Sequence, residues 1–198
     1  MTETILQSTS TPATIEPERL WTYSRMVSEL PETNQPTELW DGELLTPPAP
    51  TPLHQDVSQR LEGHFIAFVQ TNRLGRVYHA PIDVVLTERQ VVQPDILFIA
   101  QENLDMVQDR IRGVPDLLVE IISPGTWRRD RVEKRALYEQ YGVREYWIVD
   151  SEAETVEVYR WQAGAFVLHG RFVPGDVATS ALLEGFSVAV DAILKGDG

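Results

Sequence analysis

Asp95 and Glu120 are the two carboxylates that stand against apolar strand sequence in this chain. Asp95 follows Gln93-Pro94 and opens the run Ile96-Leu97-Phe98-Ile99, while Glu120 lies between Val119 and Ile121. A glutamate inside a central strand is costly to bury unless it is paired or binds a metal ion. Residue types alone leave two readings for each: an ion pair or wet strand end, or a ligand for a divalent cation. Asp116 also follows a proline and shares the strand parity of Glu120. Four strand steps separate those two by about 13 Å, too far to chelate one ion. Asp95 can approach Glu120 from a neighbouring strand, and that pair is the stronger metal candidate.

The third candidate is a lysine. Lys134 and Lys195 are the only two lysines, against fifteen arginines, so a lysine at 134 is itself informative. A compact ammonium can approach a water or a phosphate in a way that a planar guanidinium cannot. The alternative on spacing is an ordinary solvated pair with Asp130, one helical turn earlier. Residues 128–135 hold five basic and two acidic residues, the only dense basic run in the chain. Such a run can seat phosphates or simply form a solvated helix face.

Other chemistries drop out. Without cysteine there is no disulfide, thiolate zinc site or cysteine nucleophile. His54, His64, His79 and His169 form no i,i+3 or i,i+4 pair that would bind a metal. Ser123 has no G-x-S-x-G turn, and no glycine loop is built to cradle phosphate. The net charge of −13 excludes a polybasic protein that coats nucleic acid by charge alone. The hydrophobic share of 42% and charged share of 24% are those of a globular protein. No stretch approaches the roughly 20 apolar residues of a membrane span. The first residues lack the basic start and apolar core of a secretory signal, so the expectation is a soluble, cytoplasmic protein.

The elements that must position these residues follow from periodicity. Residues 1–17 read as a Thr- and Ser-rich leader, and 18–198 as a single α/β domain. A short amphipathic helix is predicted near 18–30, followed by two strands around Asp41-Gly42. Leu53, Val57, Leu61, Phe65 and Phe68 recur at helical spacing and predict a helix over 53–72 with one buried face. Strands are predicted over 76–86, 95–100, 116–123, 145–150, 155–161 and 166–170. Continuous apolar runs in the second and third indicate strands covered on both faces, hence a sheet flanked by helices. A helix over 127–141 ends at Gly142. Tyr146, Trp147, Tyr159 and Trp161 suggest apolar surface beyond one small core, and with it a homodimer.

Several strings together resemble the Uma-two family, restriction-endonuclease-like domains of the PD-(D/E)XK nuclease superfamily. They are Gln93-Pro94-Asp95-Ile96, the run Pro115 to Pro124, Arg129-Asp130 with Lys134 and Tyr138, and the run Gly142 to Asp150. Glu38 with Asp41-Gly42-Glu43 is a looser match. The resemblance implies a restriction-endonuclease-like central mixed β-sheet flanked by helices, and a Mg²⁺- or Mn²⁺-dependent endonuclease acting on DNA. It implies Asp95 and Glu120 as metal ligands, joined by the Ile121 backbone carbonyl and by Glu38. The superfamily lysine two positions after the Glu is here Ile122, so its role passes to Lys134 on the following helix. Arg128, Arg129 and Arg131 become candidate contacts for backbone phosphates. The alternative is a catalytically inactive DNA-binding or dimerising module that keeps the fold; a third reading is a hydrolase acting on RNA or a small phosphoester.

Overall fold

The structure is a computed structural model and describes residues 20–31, 35–122 and 129–196. The leader, Ser123 and Arg128 lie outside the described residues, as do the side chains of Arg129 and Asp130. In chain order the elements begin with α1 (Tyr23–Glu29), β1 (Glu38–Trp40), β2 (Glu43–Leu45) and α2 (Pro52–Asn72). Strands β3 (Gly75–His79), β4 (Val84–Thr87), β5 (Gln90–Val92), β6 (Ile96–Ala100), β7 (Ile111–Arg112) and β8 (Leu117–Ile122) follow. A π-helical turn, Arg129–Lys134, runs directly into α3 (Arg135–Tyr141). The remainder is β9 (Glu145–Asp150), β10 (Thr155–Gln162), β11 (Ala165–Phe172), β12 (Val177–Thr179), β13 (Ser187–Ala189) and α4 (Val190–Leu194).

A six-stranded sheet in the order β11-β10-β9-β8-β6-β3 forms the centre. Its β8–β9 pair is parallel, while β8 runs antiparallel to β6. A parallel pair needs a crossover connection, and the segment carrying α3 supplies it. Side chains along β8 alternate between two cores, as the strand period of two requires. Leu117, Val119 and Ile121 meet Val57, Leu61, Phe65 and Val69 of α2, whereas Leu118 and Ile122 meet Tyr138 of α3. Glu120 has the parity of the α3 face. Phe65 stacks on Phe186 with centroids 4.4 Å apart and meets Trp147 edge-on at 5.5 Å. Full burial of each such side chain stabilises the fold by roughly 1.5–3 kcal/mol.

A second sheet, β2-β1-β5-β4-β7, carries the N-terminal segment up to the main sheet. Its β1–β2 hairpin turns at Asp41 and Gly42, with φ of 48° and 90°, the left-handed pair that a two-residue hairpin turn requires. A Cβ on Gly42 would also stand 2.9 Å from the Cβ of Leu20.

Three expectations change. The single strand predicted over 76–86 is broken at Ala80-Pro81, and its halves, β3 and β4, join different sheets. The helix predicted over 127–141 is, where described, a π turn followed by only seven α-helical residues. Tyr146 and Trp147 are wholly buried and Tyr159 nearly so. Those three fill the chain's own core, whereas Trp161, the fourth aromatic that suggested a homodimer, is 41% exposed. Among the described residues no helix is long and apolar enough to cross a membrane.

Candidate active site

The register of the central sheet brings the two strand carboxylates together. Ile96 pairs with Val119, so continuing by one residue sets Asp95 opposite Glu120 at the end of the β6–β8 ladder. The ladder stops there, leaving backbone groups of β8 without a strand partner on that side. Asp95 fills the place: its Oδ2 accepts the Ile121 N–H at 2.7 Å. The carbonyl of an extended residue points to the same side as its N–H, so that of Ile121 faces the Asp95 side of β8.

Glu120 is about 2% exposed and tightly held. Its Oε2 accepts from Lys134 Nζ at 2.8 Å and its Oε1 from the Tyr138 hydroxyl at 2.7 Å. Burial, followed by the nearby charge of Glu120, holds the Tyr138 hydroxyl well above the usual tyrosine pKa, so it stays a donor. Lys134 Nζ also lies 3.2 Å from Glu38 Oε1. That oxygen accepts the Gln93 N–H at 3.0 Å, and Glu38 Oε2 accepts from the Trp40 indole at 3.1 Å. The ammonium is thus clamped between two carboxylates from different sheets. Lys134 is only 5% exposed, so its ammonium does not lie on a solvated helix face. The π turn is the local device that places it, since widening the helix by one residue shifts which side chains face the sheet.

The resulting cluster is Glu38, Asp95, Glu120, Lys134 and Tyr138, with His54 at its margin. His54 Nε2 lies 3.2 Å from Asp95 Oδ2. Sequence reasoning passed over His54 because its partner is 41 positions away, on a different element; no local spacing signals it.

Other candidates lie elsewhere. Arg131 was expected at a phosphate, but its Nη2 meets Asp150 Oδ2 at 3.1 Å and its Nη1 meets Glu157 Oε2 at 3.0 Å. Burial works against the Arg131 charge, yet the Asp150 hydrogen bond and the Glu157 charge outweigh it and raise its pKa. Asp116 is also committed: it accepts the Ala100 N–H at 2.8 Å and bonds the Asn103 amide and Arg144.

The donor set suits a hard cation. Three carboxylates and a strand carbonyl at this end of the sheet are oxygen ligands of the kind Mg²⁺ takes. Among the described residues no three His, Asp or Glu side chains form a ready cage. Lys134 stands between two of the carboxylates, and Asp95 is turned toward Ile121. Mg²⁺ needs no such cage, because it keeps several waters and is commonly held by one or two carboxylates.

Comparison with known proteins agrees with this architecture. The chain is similar in structure to "a putative nuclease belonging to DUF820" from Anabaena variabilis, with a TM-score of 0.73 and 18% identity over 87% of this chain and 97% of that one. The mixed sheet flanked by helices is therefore a fold that the two proteins share. The family described as "Putative restriction endonuclease", Uma2, matches residues 23–191, and the chain belongs to it. No curated protein matches the chain.

Proposed function

We propose that this chain is a metal-dependent endonuclease that hydrolyses phosphodiester bonds in DNA. The observation that carries the reading is that Lys134 joins Glu38 to Glu120 at the end of the central sheet where Asp95 stands opposite Glu120. Family membership points the same way. Asp95, Glu120 and the Ile121 carbonyl would hold Mg²⁺ or Mn²⁺, with Glu38 alongside. When bound, the ion would polarise the phosphodiester and lower the pKa of the attacking water. Lys134 would hold that water or neutralise the charge that develops on the phosphate. Glu38 and Glu120 keep its ammonium in place, and Tyr138 fixes the Glu120 carboxylate from the opposite oxygen. Because the whole chain is acidic, contact with DNA rests on this local site rather than on a general attraction.

The test is incubation of supercoiled plasmid with the protein, with and without Mg²⁺ or Mn²⁺. Nicking that requires the metal and disappears in Asp95→Ala supports the reading. Plasmid binding without cleavage in either metal would identify a module that keeps the fold without the reaction. Cleavage of RNA in preference to DNA would reassign the substrate.

A further inference from the structure

His54 is the one side chain at the site that the proposed mechanism leaves without a task. It sits in the first turn of α2, a helix of 21 residues whose Val57, Leu61, Phe65 and Val69 are packed into the main core. The His54 backbone N–H is capped by Thr51 Oγ1 at 3.2 Å, which fixes the start of that helix. The ring is therefore carried by a rigid element, and its side chain is only 12% exposed.

The geometry gives Asp95 an asymmetric environment. The Ile121 N–H donates to Oδ2 at 2.7 Å, and His54 Nε2 stands 3.2 Å from the same oxygen in an ion-pair contact. Among the described residues none donates to Oδ1. The terminal torsion of an aspartate is broad, and one hydrogen bond leaves it free to swing. A hydrogen bond in the plane of the sheet and the imidazole of the covering helix together hold it.

We infer that His54 is the positioning residue for Asp95: it locks Oδ2 so that Oδ1 is presented to a divalent cation. This rests on the metal-site reading above. Partners of this kind, standing behind a metal ligand, typically change metal affinity or activity by about 10- to 100-fold when removed.

Mn²⁺ titration by calorimetry on the full chain at neutral pH tests it, using the parent, Asp95→Ala, His54→Ala and His54→Gln. His54→Ala is expected to bind Mn²⁺ about 10-fold or more weakly. Its half-saturating metal concentration for cleavage should rise while the plateau rate stays near the parent's. His54→Gln keeps an N–H donor near the same place and should recover most of the affinity. If His54→Ala does not fold, His54→Met, close in size and lacking a donor, takes its place. Parent-like Mn²⁺ binding by Asp95→Ala would overturn the metal-site reading and this inference with it. Weak binding by Asp95→Ala beside parent-like binding by His54→Ala would overturn the inference alone. Equal losses in His54→Ala and His54→Gln would also overturn it, because a positioning donor should be replaceable.

Discussion

The two ends of β8 each hold a carboxylate that is about 2% exposed, Asp116 at its start and Glu120 near its finish. They share strand parity and differ in what surrounds them. Asp116 is matched by one guanidinium, that of Arg144, with the Ala100 N–H and the Asn103 amide satisfying its remaining capacity. Glu145 is saturated in the same manner, by the Trp147 indole, the Ser180 hydroxyl and the N–H groups of Ala181 and Leu182. Around Glu120 the setting is different, because Glu38 and Asp95 stand at the same end of the sheet and Lys134 joins Glu120 to Glu38. Burial of a carboxylate therefore does not mark a site. Several carboxylates brought together from different elements do, because the fold must hold them against mutual repulsion and desolvation.

The sharpest way to break this comparison is to neutralise one carboxylate at each end. Glu120→Ala or Asp95→Ala should reduce metal-dependent plasmid cleavage to the no-enzyme background. Asp116→Ala should leave the rate per folded molecule unchanged. Equal losses of activity at both ends would mean that the distinction drawn here is false.

Lys134 should give the next largest effect. Lys134→Ala should lose about 10²-fold in cleavage rate, the scale for removing one charge-stabilising group. Lys134→Arg should also be impaired, since a planar fork does not fit where a point charge sits between two carboxylates. Removing the ammonium leaves Glu38 and Glu120 facing each other, and breaking a buried pair in this way costs about 3–5 kcal/mol. Added Mg²⁺ should therefore raise the melting temperature of Lys134→Ala more than that of the parent. Ile122 shares the face of Glu120, so Ile122→Lys in the Lys134→Ala background tests whether the ammonium can be supplied from the strand instead. Parent-like cleavage by Lys134→Ala would leave the lysine a structural counter-ion.

Much of this arrangement was legible in the sequence, and the gaps have physical causes. Asp95 and Glu120 stood out because each abuts an apolar strand run, where a carboxylate needs an ion pair, a wet strand end or a metal. The parity of β8 and the strand over 145–150 followed from the same runs. The break between β3 and β4 was hidden because both halves carry strand-forming residues, Val77-Tyr78 and Val84-Val85; only tertiary pairing assigns them to different sheets. The partners of Arg131, Asp150 and Glu157, lie 19 and 26 positions downstream, so its basic neighbourhood suggested a phosphate where the fold supplies carboxylates. The π turn leaves no trace in a pattern of charged residues, although it sets where Lys134 points.

A smaller effect separates the ends of β8 by stability rather than rate. Asp116→Ala strands the Ala100 N–H and the Asn103 amide, and an unsatisfied buried donor costs about 1–3 kcal/mol. Chemical denaturation should register that loss, with Mn²⁺ affinity per folded molecule unaffected. Weaker Mn²⁺ binding would show that the two ends are coupled through the strand.

The smallest expected change concerns Tyr138, and it appears on the alkaline side. Burial, then the charge of Glu120, raises the pKa of this hydroxyl above its ordinary value of 10.0. The folded protein therefore keeps the proton where the unfolded chain releases it. The resulting contribution is present in full below about pH 10 and declines as pH rises from there toward the raised folded value. Tyr138→Phe removes this term, so its stability should fall less steeply with alkali than the parent's. At neutral pH the same variant leaves Glu120 Oε1 without its hydroxyl donor, a loss of about 1–3 kcal/mol. The two melting curves should therefore converge as pH climbs past the ordinary tyrosine range, when ionisable background from Tyr23 and Tyr159 is common to both proteins. Curves that stay parallel would mean that the Tyr138 hydroxyl is not locked to Glu120. The rigid half of the comparison would then have to rest on Lys134 alone.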